Sequence, residues 1–342
     1  CVITTIHPPF DARIYERVNN DRLSVSVSVC LIRRRQKQAY PWLAHKWISL
    51  PKPNRRIDRI LHGFRTFLVA YKQPARVYHF HDIDFILWAV LLKFLKHVPV
   101  VYDCHENYPE EVEYHKSWIP SVFRFFLSRI TRQIENWAAK KLGFCIAAVP
   151  NQVKRFSKLG VQTVLVQNFS TWRARRDLKH KFAFIYTGRL SPSDGMNVLI
   201  DISRELKHRN FNIPIIIIDR FASDEIKKNF KKTIENEKLS IIIYPRVNAK
   251  DMNMLMTKAC IGLAVEQDTP AKRLAIPTKI FEYMAMGLPI VASDLPYTRK
   301  ILKETGCGIL VSPNKAKEYV DAATTGLLEF KGGFNANTGD LD

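Results

Sequence analysis

Ile276-Pro277-Thr278-Lys279-Ile280-Phe281-Glu282-Tyr283-Met284-Ala285-Met286-Gly287-Leu288-Pro289-Ile290-Val291-Ala292-Ser293-Asp294 decides how this chain of 342 residues is read. The pattern predicts a helix with Pro277 in its first turn, where the missing N–H costs nothing. Gly287 falls at the position where a left-handed residue ends a helix. Residues 289–292 form a short apolar run of the kind found in buried parallel strands. Lys279 and Glu282 are three residues apart, so they share a face near the helix start. A helix start beside the C-terminal ends of parallel strands favours anions. One cation for phosphate and one carboxylate for ribose hydroxyls would suit a nucleotide sugar.

Outward from this segment, short apolar strands alternate with helical patterns along the whole chain. One series of predicted strands covers 2–6, 25–32, 76–80, 98–103, 144–149 and 163–166. A second covers 182–187, 213–218, 240–244, 261–265, 289–292 and 308–311. Helical periodicity is found at 85–95, 120–141, 196–207, 224–235 and 315–328. Such alternation predicts an α/β fold with parallel sheets covered on both faces. The polar, basic stretch 168–181 separates the two series and is read as the linker. The expected organisation is two Rossmann-like domains facing an inter-domain cleft, 1–168 and 169–330. The Gly/Asn/Asp-rich tail 331–342 is expected to be disordered.

Composition narrows the function classes. A hydrophobic content of 46% supplies real cores, and a net charge of +21 points to an anionic partner. The six cysteines are scattered without a C-x-x-C pair, which argues against a disulfide or metal framework and fits a reducing compartment. No apolar run reaches transmembrane length. The opening Cys1–Ile6 reads as a first strand rather than a secretion signal, and the missing initiator methionine implies a chain that starts inside its gene product. Between Arg33 and Arg76 there are 12 Lys/Arg against one acid, Asp58. Tyr40, Trp42, Trp47, Phe64, Phe67 and Tyr71 are interleaved with these cations. The basic amphipathic pattern at 57–71 suits an anionic membrane surface, or alternatively an ordinary helix packed on a core. Residues 120–141 repeat the pattern, with Phe123, Phe125, Phe126 and Trp137 beside Arg124, Arg129, Arg132, Lys140 and Lys141. Nucleic acid is not expected, because none of the usual binding motifs is present.

Four clusters of chemistry-bearing residues fall where strands end, the ligand-binding position in open α/β sheets. They are His7–Arg13, His79-Phe80-His81-Asp82, Asp103–Pro109 and Thr187–Gly195. His105, Asp11 and His81 are expected to converge on one sheet edge. A histidine at a strand end is more often a structural hydrogen-bonder than a catalyst. No His pair has the helical spacing of a metal site, so no metal is expected. Gly188-Arg189 is a phosphate-loop candidate: glycine admits a close backbone approach and arginine binds a diphosphate through two N–H groups.

These residues carry a resemblance. His7-Pro8-Pro9-Phe10-Asp11-Ala12-Arg13, Asp103–Pro109, Tyr186–Gly195 and Pro277–Ser293 together resemble the retaining glycosyltransferases of the GT-B fold. Within that fold they are most similar to family 4, of the bacterial polysaccharide and lipid-linked glycan type. The resemblance implies an N-terminal acceptor domain and a C-terminal domain for a nucleoside-diphosphate sugar, which is a substrate rather than a cofactor. It implies that Gly188, Arg189 and Lys279 hold the diphosphate without a metal, and that Glu282 binds the ribose hydroxyls. His105 and Asp11 become the residues nearest the reacting centre and acceptor, and Arg246 is a positional candidate for the base. The acceptor would be a glycan or a lipid-linked glycan, reached by a cytoplasmic enzyme peripheral to the inner membrane face. The chain departs from the pattern at Leu274, where an upstream glutamate is expected and Glu266 or Asp268 would substitute. Asp194 stands where a lysine is expected, so either Lys279 takes over its phosphate contact or the loop is redirected. Two other readings stay open: a sugar-nucleotide epimerase of the same fold, and a non-catalytic scaffold that retained it.

Overall fold

In a computed structural model of the chain, residues 1–4, 29–31, 48, 50, 58–115, 119–167, 183–247 and 249–330 are described. The chain divides into two compact units, Cys1–Asn168 and Phe169–Asp342.

The first unit runs β1 (Val2–Thr4), β2 (Val29–Leu31), α1 (Asp58–Tyr71), β3 (Tyr78–Phe80), α2 (Ile86–Lys96), β4 (Val100–Cys104), α3 (Ser121–Leu142), β5 (Phe144–Ala147), α4 (Pro150–Ser157) and β6 (Gln162–Leu165). Its strands lie in the order β2-β1-β3-β4-β5-β6, and every neighbouring pair is parallel. Parallel neighbours cannot be joined by a tight hairpin, so each connection must cross over a face of the sheet. Tyr78, Phe80, Tyr102 and Phe156 are fully enclosed in the core. From β2 to β5 the chain steps across the sheet in one direction. Right-handed crossovers therefore put α1, α2 and α3 on the same face. Phe64 and Phe67 of α1 meet Trp88 of α2 at 5.2 and 5.7 Å between ring centroids. Lys93 of α2 donates to the carbonyls of Lys141 and Leu142 at 2.9 and 2.8 Å, satisfying the open C-terminal end of α3.

The second unit runs β7 (Phe184–Tyr186), α5 (Met196–His208), β8 (Ile215–Ile218), α6 (Asp224–Glu237), β9 (Ile241–Tyr244), α7 (Ala249–Met256), β10 (Ile261–Ala264), α8 (Thr278–Ala285), β11 (Ile290–Ser293), α9 (Pro296–Thr305), β12 (Gly308–Val311) and α10 (Ala316–Phe330). Its parallel sheet has the order β12-β11-β10-β7-β8-β9. Continuous apolar runs such as Ile215–Ile218 are buried throughout because helices cover both faces. The strand order reverses between β7 and β10. Chains leaving those two strands turn to opposite faces and open a crevice at their C-terminal ends.

The segment 276–294 folds as helix then strand. Pro277 precedes the helix rather than entering it: it holds the N-cap position with φ −69° and ψ 113°. Gly287 has φ +68°, and the amides of Gly287 and Leu288 bond the carbonyls of Met284 and Tyr283 at 3.1 and 3.0 Å. That pair of bonds is a Schellman ending, which needs the left-handed residue the sequence predicted. The expected linker 168–181 and tail 331–342, and most of the expected strands 2–6 and 25–32, lie outside the described residues. Helices α4, α7 and α9 escape a reading by periodicity because they are short and begin at or near strand ends.

Gly262 lets α8 approach the sheet. A Cβ added there would land on the ring of Tyr283. Gly262→Ala is expected to cost about 1–3 kcal/mol by overpacking, read as a lower midpoint in urea unfolding with an unchanged m-value.

Candidate functional site

The reversal of strand order places the loop Thr187-Gly188-Arg189, after β7, beside Val265-Glu266, after β10. Helix α8 closes the space from one side. The Tyr283 hydroxyl accepts from the Thr187 amide at 3.1 Å and lies 3.2 Å from the carbonyls of both Ile185 and Leu263. One buried phenol thus pins α8 to both strands at the crevice. The Thr187 hydroxyl donates to Glu282 Oε2 at 3.2 Å, and Arg220 donates to the Thr187 carbonyl at 3.2 Å. Burial pushes the Glu282 carboxyl upward, opposed by the Thr187 hydrogen bond and the nearby Arg220 and Lys279.

Four charges form the floor. Glu266 is only 5% exposed. Its two carboxylate oxygens take Lys279 Nζ and Lys272 Nζ, each at 2.5 Å. Lys272 Nζ also reaches Asp194 Oδ1 at 2.7 Å, and the Ser191 hydroxyl donates to Asp194 Oδ2 at 2.6 Å. Burial alone would raise both carboxyls. The two ammonium groups outweigh it for Glu266, as Lys272, with the Ser191 bond, does for Asp194, and each carboxyl sits below its ordinary range. Lys272 is held above its ordinary value, because Glu266 and Asp194 outweigh the cost of its burial. Ser293 fixes the Glu266 backbone, accepting from its amide at 2.8 Å and donating to its carbonyl at 2.7 Å. Above this floor passes Gly188. A Cβ there would fall 2.9 Å from Lys279 Nζ and onto the Tyr186 hydroxyl, so only glycine lets the chain cross so close to the lysine.

Gly188, Lys279 and Glu282 therefore gather at one crevice, and Arg189, next in the loop, is exposed. Arg246 does not join them. It follows β9, two strands from β7 at the sheet edge, where Nε donates to the Asp219 carbonyl at 3.2 Å. Of the two substitutes considered for the missing glutamate, Glu266 is in the crevice. Asp268 is tied to Arg273 at 2.6 and 2.8 Å on an exposed turn. Asp194 does not confront the crevice as a bare acid, because Lys272 offsets it. Sequence reasoning missed Lys272: it sits 78 residues from Asp194 in the chain, on the short helical turn Pro270–Arg273, and no spacing rule links the two.

In the first unit, His79 Nε2 and His81 Nδ1 lie 3.1 and 3.3 Å from Asp103 Oδ2. His79 and His81 alternate on a strand end and so face the same side. His105 Nδ1 lies 3.2 Å from the Asp103 carbonyl, and its ring is 5.6 Å from that of His81. The expected approach of His81 and His105 is present; Asp11 lies outside the described residues. The ligand atoms of His79, His81 and Asp103 fall within 4.8 Å of one another, a grouping that could also hold a metal ion.

A glycine crossing a lysine at a strand-order reversal, with a glutamate on the facing helix, lies wholly within the second unit, and the comparison of that unit with known families is decisive. Residues 168–329 match the Glycosyl transferases group 1 family. The group 1 domain contains the whole crevice of Gly188, Glu266, Lys272, Lys279 and Glu282. The chain is 19% identical over 192 residues to a chitobiosyldiphosphodolichol beta-mannosyltransferase of Candida albicans, a match spanning 54% of this chain and 41% of that protein. Among solved structures, Anabaena HepE in complex with UDP-glucose superposes with a TM-score of 0.62 at 17% identity, over 84% of this chain and 77% of that one. The lipopolysaccharide outer core galactosyltransferase WaaB superposes with a TM-score of 0.57 at 14% identity, over 99% and 92%. Sucrose-phosphate synthase of Thermosynechococcus elongatus reaches 0.62 at 13% identity, over 82% and 74%. The fold is GT-B, with two parallel-sheet α/β domains.

The floor of the group 1 domain makes stability depend on pH and on charge balance. The depressed carboxyls of Glu266 and Asp194 contribute fully above their ordinary values of 4.5 and 3.8, and that contribution is lost as pH falls through their folded-state values. The raised Lys272 contributes below 10.5 and is lost as pH rises through its folded-state value. Lys272→Met is expected to cost about 3–5 kcal/mol at neutral pH, since it strands buried acid. Adding Asp194→Asn should recover part of that loss in a denaturant double-mutant cycle.

Proposed function

We propose that the chain is a glycosyltransferase that moves a sugar from a nucleoside-diphosphate sugar to a glycan or lipid-linked acceptor at the cytoplasmic membrane face. The observation that carries this reading is the meeting of Gly188, Lys279 and Glu282 at the strand-order reversal of the group 1 domain. The open backbone at Gly188 admits a diphosphate, and Arg189 and Lys279 supply the positive charge that develops a good leaving group. Their charge takes the place a metal ion would otherwise hold. Glu282, oriented by Thr187, accepts from the ribose hydroxyls. Glu266 holds the Lys279 ammonium in place at 2.5 Å. Arg246, at the far edge of the sheet, is set aside as a contact to the base.

In the transfer, the bond from the anomeric carbon to the diphosphate oxygen breaks and the bond to the acceptor oxygen forms. The acceptor hydroxyl passes its proton to the departing diphosphate, which leaves with the electron pair of the broken bond. His105 and Asp11 are assigned to the acceptor side of this step in the first domain, and the motif resemblance favours retention at the anomeric carbon. Measuring the anomeric coupling of the product by NMR tests that stereochemistry.

The central test uses purified full chain with UDP- and GDP-sugars. One of these donors should raise the melting temperature of the wild type, and Glu282→Ala should remove that shift. His105→Ala should keep the donor-induced shift but lower transfer by roughly 10²–10⁴-fold. Transfer that survives both substitutions at the wild-type rate rejects the site. Donor binding without transfer or hydrolysis under any acceptor favours the scaffold reading.

A further inference from the structure

The strand register of the first sheet brings three metal-binding side chains to one face. Where β3 pairs with β4, His79 lies opposite Val101 and Phe80 opposite Tyr102. Alternate residues of a strand face the same side, so His79, and His81 just past the end of β3, share a face with Asp103 of β4. Phe80 and Tyr102 take the other face, where their rings stack at 5.0 Å in the core. The three polar side chains then converge. His79 Nε2 and His81 Nδ1 lie 3.1 and 3.3 Å from the same oxygen, Asp103 Oδ2, and all three atoms fall within 4.8 Å of one another.

These spacings are those of a coordination edge. Four ligands about 2.0–2.2 Å from a zinc ion at tetrahedral angles stand roughly 3.3–3.6 Å apart. Two of the three edges are already near that length, and a turn of the His79 ring closes the third. Burial is graded from floor to rim: the side chains of Asp103 and His81 are 1% and 3% exposed, and that of His79 is 21% exposed. An ion therefore has a way in past His79, and a buried carboxylate to meet it. Two imidazoles and one carboxylate also select the class of ion. Imidazole nitrogen suits the later first-row divalent ions, whereas magnesium and calcium take oxygen ligands. Three protein ligands leave one position open, unlike the closed four-ligand sites that serve structure alone. His105 flanks the group, with its ring 5.6 Å from that of His81 and its Nδ1 3.2 Å from the Asp103 carbonyl.

We propose that His79, His81 and Asp103 form a site for a divalent transition-metal ion of the zinc type, with one coordination position open to a water or another oxygen ligand. The ion ties the ends of β3 and β4 together and fixes Asp103, two residues ahead of His105. This revises, for the first domain, the expectation that no metal binds. That expectation rested on helical spacing, whereas here two ligands are alternate residues at a strand end and the third lies 24 residues from His79. None of the three belongs to the donor crevice, so the inference stands apart from the glycosyltransferase reading.

The test is calorimetric titration of the metal-stripped full chain with zinc chloride, followed by absorption spectroscopy with cobalt(II). Wild type should bind zinc at this site, and zinc should raise its melting temperature. Magnesium at the same concentration should do neither. Cobalt(II) should give the visible bands of a four-coordinate site without thiolate charge transfer, which separates these ligands from the half-buried Cys1 and Cys307. His79→Gln and Asp103→Asn should each weaken zinc binding by at least roughly 100-fold, more than the loss of an outer partner costs. His79 is at the rim, so its variant reads the site even where the buried Asp103 change lowers stability; a melting temperature unchanged without zinc shows that the variant folds. Absence of zinc binding by wild type overturns the proposal. Equal binding by wild type and both variants overturns it too, as does a cobalt spectrum dominated by thiolate.

Discussion

A carboxylate buried at the end of a parallel strand has to be neutralised, and Glu266 meets that requirement with two lysines at once. The arrangement of the group 1 domain's crevice depends on this. An isolated buried carboxylate would be several kcal/mol unfavourable or would simply protonate. Lys279 approaches it from the first turn of α8, and Lys272 from the preceding short helical turn. Ser293 at the end of β11 clamps the Glu266 backbone and joins Tyr319 of α10 at 2.6 Å. The anion therefore ties its own loop to the helical turn and the helix that follow it and, through Ser293, to β11 and α10. Above it crosses Gly188, where a Cβ would meet the Tyr186 hydroxyl first and Lys279 Nζ next.

The floor consists of two ammonium groups and two carboxylates and is electrically balanced without a ligand. Balance explains how so much charge is tolerated under the sheet ends, and it bears on anion recognition. Positive charge for a diphosphate must come from Arg189 at the rim, from helix α8 and from redistribution within the floor. The first domain builds its polar cluster differently: two imidazoles on alternate strand positions share one carboxylate oxygen of Asp103. The +21 net charge of the chain is thus not an expression of its buried sites. Eight Lys/Arg and no acid fall within residues 32–57 alone, and a net charge of this size governs association and not the fold.

Architecture was largely legible in the amino-acid order. Unbroken apolar runs such as Ile215–Ile218 signal strands buried on both faces, and the Gly287 ending signals where α8 stops. Both are local backbone requirements, which neighbouring residues largely satisfy. Pro277 shows the margin of error: its fixed φ suits both the N-cap and the first helical position, and local sequence does not choose between them. Short helices such as Pro150–Ser157 carry too few turns for a 3.6-residue period to stand out. At the site, Gly188, Lys279 and Glu282 were visible because each belongs to a strand–turn or turn–helix junction. Lys272 was not, because Asp194 lies 78 residues away in the chain and no spacing rule pairs it with Glu266 on its own connection.

By itself the sequence determined two series of parallel strands with crossover helices, a crevice-facing glycine, lysine and glutamate, and basic amphipathic helices in the first half. Tertiary structure alone decided which charges would meet. It moved Arg246 to a sheet edge, chose Glu266 over Asp268, set Lys272 against Asp194, and placed α2 between α1 and α3. The physical reason is the range of the forces involved. Turn geometry and hydrophobic period act over a few residues, whereas ion pairing and helix adjacency depend on strand order, which only the folded sheet specifies.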